Sequence, residues 1–540
     1  MALATLLTTL TPAFAAKHAP AKHAPAKHEA KDAKPEPEAT SASAEPAAEP
    51  AEAAKKKEEG TPASPEPAKA EPAKPALTSA EPAAPEPSKA AAAPATSLAA
   101  PAMEAPVAPK PAAPKAPAPL VSNEPGWQFG FYGWVELDML WDSTQSFSES
   151  VLNQNIARPN TIAGDNPRYQ ATAKDSRFGY KIAAPAFGAL KVSGQFEADF
   201  FGTVPSNATQ DQSYVYASIR LRQYFAKLET PVLDVLVGQT FDLFGWGGQG
   251  FFPNTPAFLG VMGEVFHRNV QLRLSKTLET SAVNVELAAA AVRPATRDSG
   301  IPDLQAGLKL TINGWKGASA QGPRPAKVAP LAIGLSGVGR QMSVTDFDSL
   351  AGDPQKVRGW GAAATAFIPV LRADGEDLSN TLSLTGELSK GEGISDLYLT
   401  LTGGVLFPAL PNPKNVLPAP GYTPNIDNGI VTFDADGKAR AIQWQGMMGN
   451  ARYNFPFRQG RALALSAVYS RMKSSNAVSL TPRQGQSFVW DKGQYLEGTL
   501  WWSITPAFQL ALSYQHMEQT YGDGVTAKND RGEASWWFFF

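Results

Sequence analysis

From Trp127 onward the side chains alternate with a period of two. Phe129, Phe131, Val135, Leu137, Met139 and Trp141 are apolar, and Gln128, Glu136, Asp138 and Asp142 fall between them. Successive side chains of a strand point to opposite faces, so a strand here has one oily face and one wet face. Trp134 and Leu140 interrupt the pattern. The same parity returns at Leu190, Val192, Phe196, Ala198 and Phe200 against Lys191, Ser193, Gln195, Glu197 and Asp199. It returns again at Val215, Ala217, Ile219 and Leu221 against Tyr214, Tyr216, Ser218, Arg220 and Arg222.

A soluble sandwich also alternates, so the order of segments along the chain has to decide. Short Pro- or Gly-bearing turns (184–188, 230–231, 455–457 and 505–506) alternate with long polar loops. The loops are predicted over 143–174, 202–212, 242–264, 293–301, 342–356, 391–439, 472–487 and 518–530. Short turns at one end and long loops at the other are the layout of an outer-membrane barrel. Counting between the breaks gives roughly sixteen strands, an even number as such barrels require. The spans 313–345 and 391–440 leave that count open by about two. No run of about eighteen apolar residues is present to cross a membrane as a helix. The expected fold is therefore all-β, a transmembrane antiparallel barrel over 127–540.

The end of the chain carries the sharpest local signal. Trp536, Phe538 and Phe540 share one parity, and Phe540 is the last residue. Such a strand suits the aromatic girdle of a barrel; at a free end of a soluble protein it would invite aggregation.

The first 120 residues are different material, with one aromatic residue, Phe14, and one glycine, Gly60. Residues 1–15 read as a secretory signal peptide, a short apolar stretch ending in Ala13-Phe14-Ala15. Residues 16–120 open with Ala-Lys-His-Ala-Pro twice and continue as a Pro/Ala/Lys/Glu mixture. Too few large apolar side chains are present to offset the entropy of ordering, so a disordered periplasmic linker is expected. Stretched as polyproline II, it could reach on the order of 300 Å. His18, His23 and His28 beside Lys17, Lys22 and Lys27 could bind metal or touch an anionic cell-wall polymer, but a solvated basic spacer explains them as well. The chain has no cysteine and a net charge of -2, which excludes a disulfide framework and gives no sign of nucleic-acid binding. No cofactor motif is present; the glycines after Phe241 lack the Lys-Ser/Thr ending of a phosphate loop.

Several stretches together resemble the DcaP-like porins, trimeric outer-membrane channels. They are Phe131-Tyr132-Gly133-Trp134-Val135-Glu136-Leu137-Asp138, Asp175-Ser176-Arg177-Phe178-Gly179-Tyr180, Glu197-Ala198-Asp199-Phe200-Phe201-Gly202, Arg220-Leu221-Arg222-Gln223-Tyr224 and Val237-Gly238-Gln239-Thr240-Phe241. They come in the family's order over about the first quarter of the barrel, and their joint order carries the match. The resemblance implies sixteen strands, a homotrimer in outer-membrane lipid, and passage of small negatively charged solutes such as carboxylates. A terminal aromatic like Phe540 also resembles the signal that such barrels present to their assembly machinery. The family often has a coiled coil ahead of the barrel; residues 16–120 have no heptads.

Parity points Arg177, Lys181, Lys191, Arg220, Arg222, Arg273 and Lys309 at the lumen. A wet interior tolerates charge, and a basic strip there would attract anions. The segment Asp242-Leu243-Phe244-Gly245-Trp246-Gly247-Gly248-Gln249-Gly250 resembles the third loop that folds inward in porins. Trp246, Phe251 and Phe252 would be oddly exposed in an ordinary surface loop. Asp242 and Glu264 would supply acidic partners across the constriction. Two other functions compete with a channel. One is a barrel lipase using His516, which lacks a companion serine motif; the other is a structural tether without conductance.

Overall fold

The computed structural model describes residues 126–149, 155–203, 218–256, 261–345, 354–398, 429–434, 436, 438–456, 462–480 and 489–540. The signal peptide and linker expected over 1–120 lie outside the described residues.

Among the described residues there is one four-residue α-helix, Ala477–Leu480, and there are nineteen strands. They are β1 (Gln128–Asp142), β2 (Arg168–Thr172), β3 (Arg177–Ala183), β4 (Lys191–Asp199), β5 (Arg220–Glu229), β6 (Asp234–Phe241), β7 (Arg268–Glu279), β8 (Val283–Val292), β9 (Asp303–Ser319) and β10 (Lys327–Thr345). Then come β11 (Pro354–Leu371), β12 (Thr381–Glu392), β13 (Val431–Phe433), β14 (Ala439–Ala441), β15 (Gln443–Asn454), β16 (Ala462–Ser474), β17 (Trp490–Thr505), β18 (Phe508–Tyr521) and β19 (Thr526–Phe539).

Each strand pairs antiparallel with its neighbours in the chain, and β1 closes the ring on β19, with Trp134 opposite Phe539 and Asp142 opposite Arg531. β2 and β3 both lie along β1, as two pieces of one stave. β13 and β14 pair only with each other, as a ribbon in a loop. The wall is therefore a closed barrel of sixteen staves. Closure leaves no unpaired sheet edge in lipid, where an unsatisfied backbone group would be costly.

Alternation places the side chains. Phe131, Val135, Leu137, Trp141, Leu221, Val237 and Leu272 are exposed on the outer wall, whereas Glu136, Asp138, Asp142, Arg222 and Gln271 are buried inside. Trp134 and Leu140, which interrupt the pattern in β1, are also buried inside. They are apolar residues on the lumen face, so the stave keeps its parity. The expected strand through Tyr214 begins at Arg220, and 214–217 lie outside the described residues.

Long connections sit at one rim and short turns at the other; in bacterial barrels the short turns face the periplasm. The ambiguous span 313–345 resolves into the end of β9 and the whole of β10; in 391–440 the described residues give the end of β12 and the β13–β14 ribbon, and 399–428, 435 and 437 lie outside the described residues. The predicted loop over 518–530 shrinks to a tight hairpin, since β18 reaches Tyr521 and β19 starts at Thr526. The Lys528–Glu518 ion pair (2.6 Å) and the Thr520–Thr526 hydroxyl contact belong to this polar strand end, which reads as loop in the sequence.

Candidate functional site: the lumen and its inward segments

After β6 the chain turns into the barrel. Gly245 takes a left-handed φ of 77°, and a Cβ there would lie 2.9 Å from Val265, so only glycine suits this turn. Phe244 N–H donates to Gln305 Oε1 (2.9 Å), Gly245 N–H to Ser336 Oγ (2.8 Å), and Trp246 Nε1 to Leu335 O (2.9 Å). The indole fills a slot cleared by Gly307 and Gly334, where an added Cβ would come within 2.7 and 2.5 Å of it. Leu243, Phe244, Trp246, Phe251 and Phe252 are all buried.

Further on, the loop meets other walls. Asn254 N–H donates to Asn450 Oδ1 (3.1 Å), Ser466 Oγ donates to Asn254 O (3.1 Å), and Arg452 donates to Asn254 Oδ1. On its return Val265 N–H donates to Glu387 Oε1 (2.7 Å) and Phe266 N–H to Leu397 O (3.0 Å). The third long loop thus docks successively on β9, β10, β15, β16 and β12, and lies in the lumen rather than over it.

A second segment enters from the short-turn rim. The connection 320–326 between β9 and β10 meets the loop, with Gly322 N–H donating to Pro253 O (2.9 Å) and Asn254 Nδ2 to Gly322 O (2.7 Å). Gln509 Nε2 donates to Pro323 O (2.7 Å), and Arg324 lies 3.5 Å from Glu197 and over the Trp134 ring. In the sequence this stretch falls within the ambiguous span 313–345, and only its contacts with β1, β4 and β18 mark it as part of the lumen.

The basic residues fall into distinct settings. Arg222 bonds Glu197 (3.0 Å) and Asp199 (2.7 Å), Arg220 bonds Asp199 (2.6 Å), and Arg177 lies 3.8 Å from Glu197 and over the Trp134 ring. Lys181 sits over Tyr132, whose hydroxyl donates to Glu197 (3.1 Å). A register shift beside Glu197 and Ala198 lets Arg220 and Arg222 converge on one pair of carboxylates. Lys309 pairs with Glu286 (2.6 Å), donates to Gln249 and lies under Trp246. Arg273 donates to Phe241 O (2.6 Å) at the loop's root. Lys191 is exposed at the short-turn end, opposite Glu229, away from the others.

Sequence reasoning missed the carboxylates that hold these cations. Glu197 and Asp199 have the same two-residue spacing as Arg220 and Arg222, on the same lumen parity, a signal that was available. It also missed Arg340 with Asp303 and Asp396 (both 2.5 Å), and Arg531 with Asp142 (2.8 Å).

Asp242 and Glu264 are the acidic residues expected at the constriction. Both are buried in packing: Asp242 accepts from Gln305 (3.2 Å) and faces His267 (3.3 Å), while Glu264 accepts from Val261 N–H (3.0 Å). Burial first, then the charge of Glu387, pushes the Glu264 carboxyl well above its usual range. Burial opposes charging of His267, but neighbouring Asp242 outweighs it and holds the imidazole above its ordinary value.

Among the described residues one trio could hold a metal ion: Glu136, Asp138 and Asp175, with ligand atoms within 4.8 Å of one another. His516 faces Asp530 through Nδ1 (2.7 Å) and Glu518 through Nε2 (3.3 Å). The nitrogen that a hydrolase would turn to serine therefore faces a carboxylate.

No protein-family profile and no curated protein matches this sequence. Among solved structures, the barrel matches the outer membrane channel DcaP of Acinetobacter baumannii, with a TM-score of 0.53 and 17% identity over 78% of this chain and 100% of that one. An anion-selective porin from Comamonas acidovorans (TM-score 0.41, 10% identity, 77% of this chain and 100% of that one) and Salmonella typhi OmpF (TM-score 0.41, 10% identity, 77% and 98%) also match. The chain has the fold of an outer-membrane β-barrel. Among these structures, the DcaP channel shares that fold at the higher TM-score.

Proposed function

We propose that the chain is a passive outer-membrane channel for small hydrophilic solutes, favouring anions such as carboxylates. The observation that carries the reading is the lumen itself: charged side chains face inward, and the third loop is fixed among them rather than spread over the rim. Arg177, Arg220, Arg222 and Arg324 gather around Glu197 and Asp199, with Arg268 within electrostatic reach of Arg177, Arg220 and Arg222, while Glu136, Asp138 and Asp175 cluster close by. Of these cations Arg324, on the inward turn with a side chain 42% exposed, is the one placed to meet passing anions, on which a low-dielectric wall focuses its field. A homotrimer, which the resemblance to the DcaP-like porins implies, fits this reading. The tail would then lie in the periplasm.

The hydrolase reading has no support at His516, and a tether predicts a barrel without conductance. Planar-bilayer recording of the purified protein decides among them. Stepwise conductance with an anion-directed reversal potential under a salt gradient is expected, and a silent bilayer would remove the channel. Deleting residues 16–120 should leave a heat-modifiable, membrane-inserted barrel. Removing Phe540, whose backbone bonds Gly133 in both directions (3.0 and 3.1 Å) and whose ring stacks on Phe131, should lower the amount inserted while the survivors conduct normally.

A further inference from the structure

Arg452 and Arg273 are buried lumen guanidiniums that form no ion pair with a carboxylate among the described residues, and of the two Arg452 opens onto a cavity. Its residue is 6% exposed, and its nitrogens donate to Asn454 Oδ1 (3.1 Å) and to Asn254 Oδ1. Its guanidinium lies 5.8 Å over the Trp501 ring. Arg222, Arg340 and Arg531 each rest on carboxylates, whereas no carboxylate among the described residues forms an ion pair with Arg452. A guanidinium has five N–H donors, and a buried charge without a counter-charge is costly.

Arg452 also lines a cavity of about 320 Å³ at the short-turn end of the lumen. Pro325 of the inward turn forms one wall, and Asn454, Ser503 and Gln509 form others. These neighbours are already engaged: Asn454 Nδ2 donates to Thr381 (3.0 Å), Gln509 Nε2 to Pro323 O (2.7 Å), and Ser503 Oγ to Gln509 Oε1 (3.0 Å). Among the described residues Arg452 is the one cationic side chain in the lining, so it is the group that would receive a negative charge. The cavity also takes in Glu376 and Asp377, both exposed on the 372–380 turn. Ser379 N–H donates to Asp377 (2.8 Å) and holds that carboxyl below its usual range, so it is charged at neutral pH.

A buried cation at one side and acids on an exposed turn at the other form a dipolar pocket. We propose that this cavity is a binding subsite for small zwitterions of the amino-acid class. Arg452 takes the carboxylate, and Glu376 and Asp377 take the ammonium. A single negative charge satisfies Arg452, while a second one, as on a dicarboxylate, would meet the acidic turn. The subsite rests on the channel reading for its role in transport, but not for its chemistry.

The test is calorimetric titration of the full-length protein in detergent with L-alanine, propionate and ethylamine, which carry both charges, the negative one and the positive one. Alanine should bind more tightly than propionate, and ethylamine should not bind. Arg452→Gln should weaken alanine and propionate by about tenfold or more, the loss expected for one charge-assisted contact. Because Arg452 also holds Asn254, a second variant on the exposed turn guards against misfolding. Glu376→Gln with Asp377→Asn should reduce alanine to the level of propionate and leave propionate no weaker. Alanine affinity left unchanged by either variant, or ethylamine binding as tightly as alanine, overturns the subsite. Alanine binding by a protein that does not conduct would remove the channel and keep the pocket; conduction without alanine binding would do the reverse.

Discussion

Arg222 and Arg452 are both buried on the lumen face of barrel strands, and they differ in what holds them. Arg222 sits between Glu197 and Asp199, with Arg220 and Arg177 on the same carboxylates. Arg452 has two amides and an indole. The first arrangement joins β3, β4 and β5 and has its charge largely balanced within the wall. The second keeps its charge for something outside the wall. Lumen position alone therefore does not make a cation part of a selectivity filter; the partner decides.

The largest expected effect comes from breaking the balanced arrangement. Arg222→Met leaves Glu197 and Asp199 short of a counter-charge in a buried setting, and removing one partner of a buried pair typically costs about 3–5 kcal/mol. Heat-modifiability and thermal unfolding in detergent should show a marked loss of folded barrel. Adding Glu197→Gln to that variant should recover part of it, because the stranded charge is then removed. An Arg222→Met barrel as heat-stable as the parent would mean that the pair contributes little and that the contrast with Arg452 is empty.

A smaller effect separates structural from solute-facing charge. Arg324 is on the inward turn, with a side chain 42% exposed, and its contact with Glu197 is long at 3.5 Å. Arg324→Gln should leave folding and conductance nearly unchanged while lowering anion preference, more at low salt, where screening is weaker. The reversal potential under a salt gradient reads this directly. Replacing Arg220 and Arg222 together should instead reduce insertion more than it shifts the reversal potential. If the two outcomes are exchanged, the paired strip is the filter and Arg324 is not.

The wall was legible because lipid imposes a strict period. Side chains such as Val135 and Leu137 must face out and Glu136 and Asp138 in, and even Trp134 and Leu140 keep that parity once an apolar lumen residue is allowed. The aromatic last strand was legible for the same reason. Partnerships were less so: the convergence of Arg220 and Arg222 on Glu197 and Asp199 depends on a register shift, which no periodicity announces. The inward loop could be suspected from Trp246, Phe251 and Phe252, whose burial a surface loop would not supply. Its docking points could not, because the slot for Trp246 is made by Gly307 and Gly334 on two other strands. The turn 320–326 left no trace, since its role comes from contacts with distant staves.

The smallest effect extends the comparison to acids. Glu264 is a carboxyl buried in the third loop whose nearby charge is another carboxylate, Glu387, so its neutral form is favoured in the folded protein. An acid with a raised folded pKa stabilises the docked loop at pH below its ordinary value, and that contribution is lost as pH rises above it. His267 works in the same direction. Its folded pKa is raised beside Asp242, so its contribution is full below the ordinary imidazole value and is lost as pH rises through the folded one. Both groups make the loop firmest in acid and looser in alkali. Open-channel current noise should therefore grow from about pH 5 to pH 9, a window that starts above the ordinary carboxyl value and takes in that of imidazole. Glu264→Gln, which cannot ionise, should flatten that rise while leaving the noise at pH 5 unchanged. Noise that is flat with pH in the parent would mean that the loop is held by Trp246 and its backbone bonds alone, whereas a rise that is equal in the variant would assign the effect to His267 and leave no contribution from the Glu264 carboxyl.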